Sequence, residues 1–160
     1  MSVARWLPLA SIWVASAAWA ELPASLPGWV IEPTGRNYAE LVERVDAAVA
    51  ASPLNVVTRA SATVGAKSLG QDIPGNMVVG VFAPQFAVRL LDASVAAGIE
   101  APLRLYITES PDGTATLSYK TAAYVLAPYA EEGGQTLTAL AAELDTILEQ
   151  IAEQAAGRRD

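Results

Sequence analysis

The stretch PLRLYITESPDGTATLSYK, residues 102–120, decides how this chain folds. Its centre, Ser110-Pro111-Asp112-Gly113-Thr114, has the composition of a tight turn. Pro presets φ, Asp bonds nearby backbone, and Gly113 suits the left-handed conformation that closes a bulged hairpin. On both sides, apolar and polar residues alternate with the period of a strand. The spacing predicts a β-hairpin with Ser110 paired to Thr114. That register sets Ile107 opposite Leu117 and Leu105 opposite Tyr119 on one face. The other face carries Arg104 opposite Lys120, Tyr106 opposite Ser118 and Thr108 opposite Thr116. Alternation of this kind packs one face on a core and leaves the other to water or a partner.

Upstream, VVGVFAPQFA (78–87) is an apolar strand that hands over to a helix. Pro84 stands where Pro is tolerated, in the first helical turn. Phe86, Ala87, Leu90, Leu91 and Val95 continue as a helical stripe toward Gly98. Gly80 has no companion glycine at phosphate-loop spacing and no Gly-Lys-Ser/Thr after it. It reads as a gap left for the helix packed above, with close approach by a ligand or neighbouring strand as the other reading. Gly80, Pro84, Pro102 and Gly113 are therefore taken as structural junctions.

Two long helices frame these strands. NYAELVERVDAAVAAS begins with Asn37 as N-cap and Glu40 three residues on, a capping-box pattern, and Pro53 ends it. Its stripe is Tyr38, Leu41, Val42, Val45, Ala48 and Val49. TLTALAAELDTILEQIAEQAAG closes the chain, with Thr136 as the expected cap and Leu137, Leu140, Ala141, Leu144, Leu148 and Ile151 as its apolar side. Glu143, Asp145, Glu149 and Glu153 are expected to face water. Ahead of both, GWVIEP reads as a short first strand; between the two, LNVVTRASATVGA reads as β-rich and KSLGQDIPGN as a loop. TAAYVLAPYA reads as a further strand or extended arm, and its AAYVLAPYA portion as a candidate exposed apolar patch.

The N-terminus reads as an address. Arg5 precedes an apolar run of about 15 residues that ends in Ala18-Trp19-Ala20. That is short of the roughly 20 residues a membrane-spanning helix needs, and the small residues fit signal cleavage after Ala20. The organisation expected is a signal peptide over 1–20, a lead-in over 21–35 and one domain over 36–156. Export to a bacterial periplasm follows, with no stable membrane insertion once the leader is cut.

Composition excludes much chemistry. The chain has 160 residues, a formal net charge of −7, no Cys and no His. The charge opposes nucleic-acid binding, which needs a clustered basic surface. Without Cys there are no disulfides or thiolate nucleophiles. Without His most zinc and copper sites, His-ligated haem and every Ser-His or Cys-His triad are removed. Any metal would need oxygen ligands, and no D-x-D-x-D loop supplies them. No metal and no cofactor is expected, and no catalytic set converges by spacing, which points away from an enzyme. Glu131-Glu132, near Tyr124 and Tyr129, reads as a turn pair facing water. Asp72 and Glu100 are loop acids bound into no site.

Several words together resemble the domain-of-unknown-function 302 family: VVGVFAP with Pro84, then Pro102-Leu103, Asp112-Gly113 and Ser118-Tyr119, in order over roughly residues 36–155. Ala83 stands where that family often has Asn, and Phe82 where it often has Gly. The resemblance implies an α+β fold of β-α-β(n)-α order. An antiparallel sheet would carry helices on one face, a short helix would follow a central strand, and the chain would often be a dimer. It implies no reaction.

Arg104, Tyr106, Ser118 and Lys120 form the best polar cluster. Like charges directly opposite are unfavourable, so a small anionic or amphipathic ligand between them is the sharper reading and a splayed outward face the blander one. The function expected is small-ligand binding or an accessory role. The alternative is a structural protein acting as a homodimer or as a subunit of a larger assembly.

Overall fold

The computed structural model describes residues 26–158. The leader read at 1–20 and the first part of the lead-in lie outside the described residues. The strands are β1 (Trp29–Asn37), β2 (Asn55–Ser61), β3 (Asn76–Phe82), β4 (Leu103–Glu109) and β5 (Thr114–Lys120). They form one five-stranded antiparallel sheet in the order β1-β5-β4-β3-β2. The helices are α1 (Tyr38–Ala50), α2 (Ala62–Ser68), α3 (Pro84–Ala93), α4 (Ala122–Leu126) and α5 (Ala130–Ala156). Short 3-10 turns occupy Ala96–Glu100 and Ala127–Tyr129. The α+β class and the element order follow the expectation.

The hairpin forms in the expected register. Leu105 pairs with Tyr119, Tyr106 with Ser118, Ile107 with Leu117 and Thr108 with Thr116. Ser110 donates its N–H to the Thr114 carbonyl at 2.7 Å, and Gly113 turns the chain with φ +82°. β1 is longer than GWVIEP alone and runs straight into α1. Asn37 ends the strand and caps the helix, its side chain accepting the Glu40 N–H at 2.9 Å. Pro33 is tolerated because β1 lies at the sheet edge. The register shifts between Pro33 and Asn37, and the Thr34 hydroxyl there donates to the Ala115 carbonyl at 2.6 Å.

α1 and α5 pack on each other, and both reach the sheet on the same side. Leu41, Val45 and Val49 of α1 meet Leu137, Leu140, Leu148 and Ile151 of α5 in a core with Val79, Leu105, Ile107 and Leu117 of the sheet. Each is almost fully buried, and burying a side chain of this size stabilises the fold by about 1.5–3 kcal/mol. Arg44 holds the end of α5: its Nε and Nη2 donate to the Ala155 and Gln154 carbonyls at 2.7 and 2.8 Å. Helix ends carry unpaired carbonyls with partial negative charge, so a cation there satisfies both needs.

Several local expectations are corrected. Residues 62–68, read as β-rich, are the helix α2, because Ser61 ends the strand and its hydroxyl accepts the Val64 N–H. Residues 122–129 are helical, neither a strand nor an arm. Ala122 and Leu126 are buried, so only part of the supposed exposed patch, including Tyr124, faces solvent. The stripe of α3 stops early: Phe86 and Leu90 are buried, whereas Leu91 and Val95 are exposed. Ser94 breaks the helix, its backbone extended and its hydroxyl donating to Glu132 at 2.8 Å. Glu132 is thus engaged by the fold and does not simply face water. Thr136 is not the cap of the last helix. The break lies at Gly134 (φ +54°, ψ −146°), a conformation glycine adopts most readily, and the helix resumes beyond it.

Of the two readings of Gly80, close approach by a neighbouring strand agrees with the structure, and a gap for an overlying helix does not. A Cβ there would lie 2.1 Å from the Thr58 hydroxyl of β2 and 3.0 Å from Cγ of Pro102. A neighbouring strand and the lead into β4 take the space, on the side away from α1 and α5.

Candidate functional site

Side chains alternate across a strand, so the sheet's second face is built from rows of cross-strand neighbours. One row runs Trp29 (β1), Lys120 (β5), Arg104 (β4), Gly80 (β3) and Thr58 (β2). The next runs Ile31, Ser118, Tyr106, Val78 and Ala60. Arg104, Lys120, Thr58 and Ala60 are exposed. Where these rows approach the 3-10 turn at Ala96–Glu100 and helix α4, a cleft of about 390 Å³ opens.

Trp29, Val78, Leu103, Tyr119 and Val125 line that cleft, and Arg104, Lys120, Tyr106, Asn76 and Glu100 supply its polar groups. Lys120 Nζ sits 5.8 Å from the centre of the Trp29 ring, within cation–π range. Asn76 Nδ2 donates to the Tyr106 hydroxyl oxygen at 2.6 Å, which fixes that phenol across the mouth of the strand pair. Glu100 accepts the Tyr129 hydroxyl at 2.9 Å, and that bond raises the Tyr129 pKa.

Arg104 stands apart from the other described arginines. Arg36, Arg59, Arg89 and Arg158 each meet a carboxylate, and Arg44 meets two carbonyls. Among the described residues, neither Arg104 nor Lys120 makes an ion pair. Two unpaired cations beside an apolar wall can hold an anion by charge-assisted hydrogen bonds and shelter its hydrocarbon part.

Three of the four expected residues, Arg104, Tyr106 and Lys120, line the cleft together. Ser118 does not. It is fully buried between its row neighbours Ile31 and Tyr106, and its hydroxyl donates to the Tyr106 carbonyl at 3.5 Å. The junction residues stay outside the cleft: Gly113 in the hairpin turn, Pro84 at the start of α3, and Gly80 and Pro102 against each other. Trp29, Asn76 and Glu100 were not foreseen. The alternation in GWVIEP places Trp29 and Ile31 on one face and could have pointed to the first.

The family model described as "Domain of unknown function DUF302" matches residues 31–155. No curated protein matches the chain. Among solved structures, the chain is similar to the uncharacterised conserved protein DUF302 from Bacillus stearothermophilus. The two share 18% identity with a TM-score of 0.70, over 80% of this chain and 98% of that one. At that identity the likeness speaks for the fold alone. The family match spans most of the sequence, and the sheet, the hairpin and the framing helices agree with it: the chain belongs to the DUF302 family.

Proposed function

We propose that the protein is an exported small-ligand-binding module that holds a small anionic or amphipathic molecule in the cleft beside Arg104 and Lys120. The observation that carries this reading is the unpaired state of those two cations in adjacent positions of one row. An anion between them relieves their repulsion and gains a charge-assisted bond from each. Trp29, Val78, Leu103 and Val125 then receive the apolar part of the ligand. The leader pattern that ends at Ala20 supports export to the periplasm.

Trp29 provides the test. From residue 21 onward it is the single tryptophan, and it borders the cleft. Octanoate and inorganic phosphate are titrated into the exported protein while its fluorescence is followed. A saturable change with octanoate that vanishes in the Arg104→Ala/Lys120→Ala double variant supports the reading. A flat response to both anions, or an equal response in the double variant, contradicts it.

A homodimer is the second reading. The half-buried Ile31, Val78 and Tyr106 on the uncovered sheet face favour it. Sedimentation showing a strict monomer at all concentrations counts against it.

A further inference from the structure

Leu103 shares its face of β4 with the buried Leu105 and Ile107, on the side of the helices, whereas Arg104 and Tyr106 belong to the open side. As the first residue of the strand it still borders the cationic cleft. It also borders a second, smaller recess of about 40 Å³ beside α3. Glu100 lines both spaces too, so cleft and recess meet where the 3-10 turn leads into β4.

The two spaces differ in chemistry. Phe86, Ala87 and Leu90 of α3 line the recess together with Leu54, Leu126 and Leu144. All of these except the half-buried Ala87 are buried. Of the side chains that border the recess, Glu100 alone is polar, and its Oε1 already accepts the Tyr129 hydroxyl. An anionic head placed there would lose its water, meet no donor side chain and face a like charge. Hydrocarbon entering the same space leaves water and gains close contacts.

The two spaces also differ in size. A recess of about 40 Å³ holds about three water-sized groups, the size of a methylene each, against about 390 Å³ in the cleft. Such a space takes one unbranched chain and refuses a bulky ring. We infer that the ligand is a single-chain anionic amphiphile. Its head lies between Arg104 and Lys120, and its straight tail passes Leu103 and Glu100 to end under α3. This rests on the anion-binding reading of the cleft and adds to it the class of ligand and the place of the tail.

The test compares octanoate with undecanoate and with adamantane-1-carboxylate, which has the carbon count of undecanoate in a rigid cage. Each is titrated calorimetrically into the wild type and into Ala87→Phe, which fills the recess and leaves the cationic cleft alone. Each methylene that enters the recess strengthens binding about fourfold. Undecanoate is therefore expected to bind the wild type at least about tenfold tighter than octanoate, and the caged acid no tighter than octanoate. In Ala87→Phe the gain from the longer chain disappears while octanoate binding stays within about twofold. If octanoate itself does not bind, the anion reading and this inference fall together. If octanoate binds but undecanoate gains nothing, or the caged acid matches undecanoate, or the gain persists in Ala87→Phe, the tail site is overturned and the anion reading stands. The comparison of the two acids in the wild type decides the matter even where Ala87→Phe does not fold.

Discussion

Arg104 and Lys120 occupy facing positions on β4 and β5, one step beyond the Leu105–Tyr119 pair, and neither meets a carboxylate among the described residues. Facing cations cost the sheet a little stability. If the pair is kept for a ligand, removing it does not hurt the fold. Arg104→Ala and Lys120→Ala are each expected to leave urea stability within about 0.5 kcal/mol of wild type, or slightly raised. A loss above about 1.5 kcal/mol in either would make the pair structural.

Gly80 is required by its neighbours and by no ligand. Gly80→Ala drives a methyl into the Thr58 hydroxyl, and a β-branched residue on a strand has few rotamers in which to retreat. The expected cost is about 1–3 kcal/mol by chemical denaturation. Adding Thr58→Ala should recover most of it, since contacting sites couple. Equal losses in the single and double variants would show that Pro102 sets the limit.

Asp145 sits in the acidic stripe of α5, where a solvated carboxylate was expected. It reaches across to accept the Ala122 and Ala123 N–H groups at the first turn of α4. Asp145→Ala removes that cap and should cost about 1–2 kcal/mol, whereas Glu143→Ala, which loses only an exposed pair with Arg89, should cost less than about 1 kcal/mol. Thermal melts of both variants check the contrast. Equal stabilities would contradict the capping role.

The Tyr119 phenol is pushed up to about 12, first by burial and then by the charges of Glu149, Glu32, Asp145 and Glu153. An unfolded chain releases this proton near 10, while the folded chain keeps it until about 12. Its contribution is therefore complete below pH 10 and is lost as pH rises through the folded value. Relative to Tyr119→Phe, the wild type should lose about 1 kcal/mol between pH 9 and pH 11. Guanidinium denaturation at both pH values measures it, and parallel losses in the two proteins would place the titration elsewhere.

Much of the fold was legible because its signals are local. Asp112-Gly113 and the period-two alternation around them fix the hairpin and therefore the placing of Arg104 beside Lys120. The Leu and Ile stripe of α5 and the Asn37 cap of α1 are equally plain. What escaped depends on distant residues. α4 has only five residues, and besides its Thr121 cap it relies on Asp145, more than twenty positions away in sequence, to accept its first N–H groups. α2 follows directly on the Ser61 cap, so a β-rich composition concealed it. Ser118 shares a face with Arg104 by register, but the flanking Ile31 and Tyr106 enclose it. Glu100 joins the cleft only because the 3-10 turn folds beside the strand ends, and no spacing in the sequence announces that.

Native mass spectrometry of the protein, purified gently from its own compartment, tests the central claim most directly. It reads bound mass and oligomeric state together. The anion-binding reading predicts an added small mass that leaves on denaturation and is absent from the Arg104→Ala/Lys120→Ala variant. A clean dimer carrying no added mass, identical in the double variant, would contradict it and assign the open face of the sheet to a second copy of the chain.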